Sequence, residues 1–172
     1  MGAIGRQVAE YLNVFGAKIL YTDIHQLSPE QEQKLNATYI PSFEKMLSQV
    51  DILSLHCPLT NENKEMLNEQ TIIMMKPNAI IINTARGKLI NETALYHALK
   101  KGRISAAGLD VHYEEPIFTE NYLLSTLDNV ILTPHIGGLS FETFQTMMKD
   151  AIENILTFDR GLFSEICNKK IL

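Results

Sequence analysis

Along this chain, short unbroken apolar runs alternate with longer stretches whose apolar residues recur every three or four positions. The short runs fall at residues 18–22, 52–55, 79–82, 104–111 and 130–132 and predict strands. The spacing of Val8, Leu12 and Phe15 predicts an opening helix, stopped at Gly16. Ser42, Asn68 and Asn91 stand where N-caps stand and predict helices over 43–49, 69–75 and 92–101. Pro77 ends the second of these. The third places Lys100 and Lys101 in its last turn, where the negative end of the helix dipole favours them, and Gly102 follows. Residues 28–34 are polar and read as a loop or an exposed helix. Residues 140–160 predict a long terminal helix, with Phe144, Met147, Met148, Ala151, Ile155 and Leu156 near one face. The Met74-Met75 and Met147-Met148 pairs read as core packing.

Strands that are apolar throughout and separated by helices belong in a parallel sheet covered on both faces. The expected fold is α/β, a doubly wound parallel sheet of the Rossmann type. Such a sheet binds ligands beyond the carboxyl ends of its strands. Asp23, Arg86, Asp110 and His135 all follow predicted strands.

Composition narrows the function. The 172 residues are enough for a real core, and 45% hydrophobic with 20% charged residues is ordinary for a globular protein. A net charge of −5 and the lack of a basic run exclude a nucleic-acid surface. No apolar stretch is long enough to span a membrane, and the start does not read as a signal peptide. Cys57 and Cys167 form neither a disulfide framework nor a metal-ligand cluster, so no metal is expected and a reducing, cytoplasmic setting is.

Three segments carry chemistry: Asn83-Thr84-Ala85-Arg86-Gly87, Asp110-Val111-His112-Tyr113-Glu114-Glu115-Pro116, and Thr133-Pro134-His135-Ile136-Gly137-Gly138. Each follows a predicted strand and offers one functional side chain: Arg86, Glu115 or His135. An arginine fork suits a carboxylate. A histidine titrates near neutral pH and can move a proton, and a carboxylate beside it stabilises the imidazolium and fixes its orientation. Met1-Gly2-Ala3-Ile4-Gly5 matches most of a dinucleotide-binding turn, with Gly2 and Gly5 as its second and third glycines. Asp23 lies eighteen residues after Gly5. There a carboxylate accepts bonds from ribose hydroxyls and repels a 2′-phosphate, favouring NAD over NADP.

With these segments in this order, the chain closely resembles the NAD-dependent D-2-hydroxyacid dehydrogenases, which include D-lactate, D-3-phosphoglycerate, glycerate and hydroxypyruvate enzymes. The resemblance also runs through Gly2 to Arg6, Asp51 to Thr60, and Met75-Lys76-Pro77. It implies that Arg86 holds the substrate's carboxylate and carbonyl, that His135 exchanges the proton and that Glu115 pairs with His135. It implies that Ala3 and Ile4 contact the pyrophosphate of NAD and that Asp23 contacts the adenosine ribose. It sets Asp110 near the nicotinamide end, and Cys57, Pro58, Asn63, Thr84, Ala85 and Gly137 along the cofactor cleft. It also implies a small 2-hydroxy or 2-oxo acid substrate and a homodimer.

The family's first strand and first glycine would precede Met1, and its substrate domain is built mainly from an earlier segment. The expected division is a dinucleotide-binding domain over 1–139 and, over 140–172, a helix and tail that return toward a substrate domain. In the tail, Ile166 and Ile171 are expected to pack on that domain. A sheet without its first strand would be left with unpaired edges. The expectation is a truncated or split enzyme, with a separate chain as one source of the N-terminal half. The competing reading is a non-catalytic NAD-binding or regulatory module. Glu115 argues against a formate-type enzyme, which carries Gln there. Glu114 reads as a solvated loop acid, and His25, His97 and His112 as surface or helix-face residues. His56 reads as a support of the cleft.

Overall fold

The computed structural model describes residues 1–117 and 122–162. Cys167, Ile166 and Ile171 lie outside the described residues. The chain divides into two compact units, Met1–His135 and Ile136–Leu172.

In the first unit the elements run α1 (Ala3–Val14), β1 (Ile19–Tyr21), α2 (Pro29–Lys34), β2 (Ala37–Tyr39), α3 (Phe43–Leu47) and β3 (Ile52–Leu55). They continue with α4 (Glu69–Ile72), β4 (Ile80–Asn83), α5 (Glu92–Lys100), β5 (Ala106–Leu109) and β6 (Val130–Leu132). Every strand pair is parallel. Strands β3-β4-β5-β6 form one sheet and β1-β2 a second. Among the described residues no pairing joins β1-β2 to the larger sheet, so the strand order breaks between β1 and β3.

The register of the larger sheet sets the site. Leu55 pairs with Asn83, Asn83 with Leu109, and Leu109 with Leu132. Four strands therefore end at one level, and the loops after them leave from a common edge. One face, carrying Leu53, Leu55, Ile81, Asn83, Ala107 and Leu109, is fully buried under Leu47, Ile72, Leu95 and Leu99 from α3 to α5. Each such leucine or isoleucine contributes about 1.5–3 kcal/mol on burial. On the other face Ser54, Ile80, Ile82, Ala106 and Gly108 are half-buried, and Ile131 is exposed. The sequence predicts cover on both faces; among the described residues only one is complete.

Local signals act as expected at the helix starts. Ser42, Asn68, Asn91 and Ser140 each accept a backbone N–H of their helix. Residues 28–34 form a helix because Ser28 and Gln31 make a reciprocal capping box and Pro29 takes the first turn. Strand β2 has no counterpart in the sequence reading. Its three residues are too few for periodicity, and it forms by pairing with β1. In α1, Gly5 and Ala9 are buried but Leu12 and Phe15 are exposed, so the apolar stripe is not what the core covers.

The second unit contains α6 (Phe141–Asp159). None of its described residues is buried, and Met147 and Met148 are exposed. The core-packing reading of that pair is thus corrected. Met75 does enter the core, whereas Met74 is exposed.

Candidate active site

The loop after β4 is shaped by Asn83, which is 1% exposed. Its Oδ1 accepts the Ala85 amide at 3.0 Å and its Nδ2 donates to the Arg86 carbonyl at 2.9 Å. This side-chain turn presents Thr84 and Arg86 to solvent. Arg86 Nη1 donates to the Ala85 carbonyl at 2.6 Å, and no carboxylate among the described residues pairs with the guanidinium. An exposed arginine fork with no acid of its own can take a ligand carboxylate.

The loop after β5 lies directly against the first. Gly87 abuts the His112 backbone so closely that only a residue without a β-carbon fits. From there the chain turns so that Glu115 reaches His135, which follows β6. Glu115 Oε2 lies 2.7 Å from His135 Nδ1. Its other oxygen, Oε1, accepts the His112 amide at 2.9 Å. Burial alone would raise the Glu115 carboxyl. The bonds from His135 and the His112 amide, with the charges of the two rings, outweigh burial and hold it below the usual carboxylate range.

His135 sits at φ 57°, a left-handed conformation that is unusual for histidine. Its amide donates to the Thr133 carbonyl at 3.0 Å. With Nδ1 taken by Glu115, Nε2 is the ring nitrogen left to exchange a proton. Asp110 is buried at the end of β5, bonded to Thr133 Oγ1 at 2.5 Å.

His112 departs from its surface reading: it is 4% exposed. Its Nδ1 lies 3.1 Å from the Tyr122 hydroxyl and its Nε2 lies 2.9 Å from the Thr133 carbonyl. Tyr122 in turn donates to Glu92 at 2.7 Å, and burial, then Glu92, push its phenol up. Sequence reasoning missed the structural parts played by Asn83, Thr133, Tyr122 and Glu92. A signal existed for Asn83 alone, as a polar residue closing an apolar strand before a turn.

A second group of predicted residues gathers at the start of α1. Gly2, in extended backbone, caps α1 with no side-chain bond, and no heavy atom lies within 4 Å of where its β-carbon would be. Ala3 and Ile4 are exposed at the helix start, and Gly5 is buried near His56. The first-turn amides of a helix have no partners within it and suit a phosphate. Asp23, at the end of β1, accepts the His25 amide at 3.1 Å and pairs with the Met1 amino group at 2.8 Å. Burial works against its ionisation, but these hydrogen bonds and the nearby positive charge prevail and hold it low. Amide donors at a helix start and an ionised acceptor at the adjacent strand end fit the two ends of an adenosine diphosphate.

The loop after β3 adds a third side. Asn63 Nδ2 donates to the Pro58 carbonyl at 2.8 Å and approaches Cys57 Sγ at 3.9 Å, while its Oδ1 accepts the Thr60 amide at 2.7 Å. Burial raises the half-buried Cys57 thiol, and the Asp23 charge raises it further. Cys57 and Asp23 therefore share one electrostatic neighbourhood. His56, held by Ser54 Oγ at 2.9 Å, is lowered by burial. Gly137 falls in the second unit.

Known proteins resemble this chain in sequence and in fold. The chain is 41% identical over 172 residues to a glyoxylate reductase of Thermococcus litoralis, covering 99% of this chain and 51% of that protein. It is 44% identical over 161 residues to a glyoxylate reductase of Korarchaeum cryptofilum, covering 94% and 48%. The fold matches a crystal structure of Rhodotorula graminis D-mandelate dehydrogenase with a TM-score of 0.86 at 35% identity, over 92% of this chain and 46% of that one. It matches Lactobacillus jensenii D-lactate dehydrogenase with NAD+ with a TM-score of 0.85 at 33% identity, over 94% and 51%. The chain spans about half the length of the curated relatives it matches. Residues 1–137 match the family described as D-isomer specific 2-hydroxyacid dehydrogenase, NAD binding domain, and the chain belongs to that family.

Proposed function

We propose that this chain is the nucleotide-binding and proton-transferring part of an NAD-dependent oxidoreductase that interconverts a D-2-hydroxy acid and a 2-oxo acid. The observation that carries the reading is the 2.7 Å contact between Glu115 and His135 beyond the carboxyl ends of the sheet. Arg86 holds the substrate carboxylate. His135 Nε2 takes the hydroxyl proton during oxidation and returns it during reduction, while Glu115 orients the ring and stabilises its charged form. Gly2, Ala3, Ile4 and Gly5 hold the pyrophosphate of NAD and Asp23 the adenosine ribose. Cys57, Pro58, Asn63, Thr84, Ala85, Asp110 and Gly137 border the cofactor. When bound, the nicotinamide supplies the hydride acceptor or donor. The named activity of the relatives supports glyoxylate, a small 2-oxo acid, as the first substrate to try.

The break between β1 and β3 supports a further part of the proposal: a strand from outside these 172 residues completes the sheet, whether from the same polypeptide or a separate one. In this reading residues 140–172 return toward a substrate domain, the working assembly is a homodimer and its setting is the cytoplasm. A non-catalytic NAD-responsive module is the second reading.

Fluorescence titration of the 172-residue chain with NADH, with Asp23→Ala as control, tests the proposal. Saturable binding lost in the variant is expected, followed by glyoxylate-dependent NADH oxidation. Binding with no turnover, even after the upstream half is added, favours the second reading. A folded chain that binds no NADH, either alone or with the upstream half added, overturns both.

A further inference from the structure

We propose that His112 is a positioning residue for the Glu115–His135 pair, holding Glu115 through its backbone amide and His135 through the Thr133 carbonyl. This rests on the reading of that pair as the proton-transfer couple. Both partners are tied to the same residue. The His112 amide donates to Glu115 Oε1 at 2.9 Å, leaving Oε2 for His135. The His112 ring reaches the Thr133 carbonyl from Nε2 at 2.9 Å. That same carbonyl accepts the His135 amide at 3.0 Å, in the turn that sets His135 at φ 57°.

The ring is itself fixed on every side. Its Nδ1 meets the Tyr122 hydroxyl at 3.1 Å, with the two rings edge to face at 5.4 Å. Tyr122 is anchored on Glu92 Oε1, which also accepts the Tyr113 amide at 2.8 Å. The His112 carbonyl is pressed on Gly87. Asp110 holds Thr133 from the other side through its hydroxyl. The charged or titratable groups around the ring are thus Glu92, Tyr122, Glu115 and, through Thr133, Asp110.

Histidine suits this place because one rigid ring must serve two partners at opposite ends. A carbonyl oxygen only accepts, so Nε2 must carry a hydrogen. Phenylalanine would fill the volume and lose both contacts. A left-handed backbone at a non-glycine residue is disfavoured because the β-carbon crowds the following carbonyl oxygen. It persists where its surroundings dictate it, and the doubly bonded Thr133 carbonyl is the nearest such constraint.

Nuclear magnetic resonance of the 172-residue chain tests the proposal without cofactor or substrate. Failure to bind NADH would therefore count against the dehydrogenase reading and leave this readout intact. Two results are expected. In the unmodified protein, His112 Nε2 carries a hydrogen. In the variants, the Glu115 carboxyl titrates below the ordinary range in the wild type and in His112→Gln, whose amide keeps a donor at the Nε2 position. In His112→Phe it moves up toward the ordinary value. If His112→Phe does not fold, His112→Asn, too short to reach Thr133, serves with the same expectation. A bare Nε2 in the wild type overturns the proposal whichever variants fold. So does a Glu115 titration that stays put in folded His112→Phe or His112→Asn, or one that moves as far in His112→Gln.

Discussion

Gly87 and His112 meet backbone to backbone: a β-carbon on residue 87 would stand 1.8 Å from the His112 carbonyl oxygen and 2.0 Å from its carbonyl carbon. This approach joins the loop that carries Arg86 to the loop that carries Glu115. Neither side is a flexible side chain that could swing away. Gly87→Ala is expected to destabilise the protein by about 3 kcal/mol or more, as an overpacking change met by backbone. Gly102→Ala is the comparison. Gly102 has φ 65° and nothing within 4 Å of a β-carbon, so only the backbone preference is lost, about 1–2 kcal/mol. Urea denaturation of both variants decides; equal losses would show that the close approach carries no energy.

The Glu115 carboxyl is held below the usual range, which links it to acid stability. Burial opposes this, and the bonds from His135 and the His112 amide prevail. A carboxyl depressed on folding adds stability in full above its unfolded value of about 4.3. That stability is lost as pH falls through the lower folded value. Glu115→Gln is therefore expected to melt below the wild type at pH 7 and to lose less on acidification. Melting curves from pH 7 to pH 3 measure this. A wild type and a variant that fall in parallel would remove Glu115 from the linkage.

How much of this was legible beforehand differs by element. Arg86, Glu115 and His135 could be placed from sequence because each follows an apolar run, and parallel register brings such ends to one level. The capping residues were legible because their bonds are local. Strand β2 was not, since Ala37–Tyr39 is defined by its pairing with β1 and carries no period of its own. His112 was misread because its burial depends on Tyr122 and Thr133, ten and twenty-one residues away. Leu12, Phe15 and Met147 mark apolar helix faces, but periodicity names the face without naming what covers it.

Tyr21 provides an alkaline counterpart. Its buried hydroxyl donates to Glu32 Oε1 at 2.6 Å and accepts the Leu27 amide at 2.9 Å. Burial first, and then the bond to Glu32, push the phenol from 10.0 up to about 12. A group raised on folding gives stability that is whole below its unfolded value and lost as pH climbs through the folded one. Tyr21→Phe strips the Leu27 amide of its acceptor and is expected to cost about 1–3 kcal/mol at neutral pH. That gap should narrow between pH 10 and pH 12, as only the wild type loses the contribution. Chemical denaturation across this range reads it, and a gap that widens would refute the assignment.

The proposed division of labour between Arg86 and His135 predicts two different kinetic defects. His135 Nδ1 is engaged by Glu115 at 2.7 Å, so proton exchange falls to Nε2. His135→Gln keeps a polar side chain but cannot move a proton at neutral pH. If the proposed assembly reduces glyoxylate with NADH, its turnover is expected to drop by about 10²–10⁴-fold. NADH affinity should be unchanged, because the proposal gives the adenosine end to α1 and Asp23. Arg86 has no acid partner among the described residues, and its fork is the part a carboxylate needs. Arg86→Lys keeps the charge and loses the paired donors. A charged hydrogen bond is worth about 1.5–3 kcal/mol, so the expected loss is roughly 10- to 100-fold in kcat/KM. That loss should appear mainly in KM if the fork binds the ground-state carboxylate and the transition state alike. Full turnover in His135→Gln would move the proton-transfer role elsewhere. A defect in NADH affinity in either variant would place that residue in the cofactor site instead.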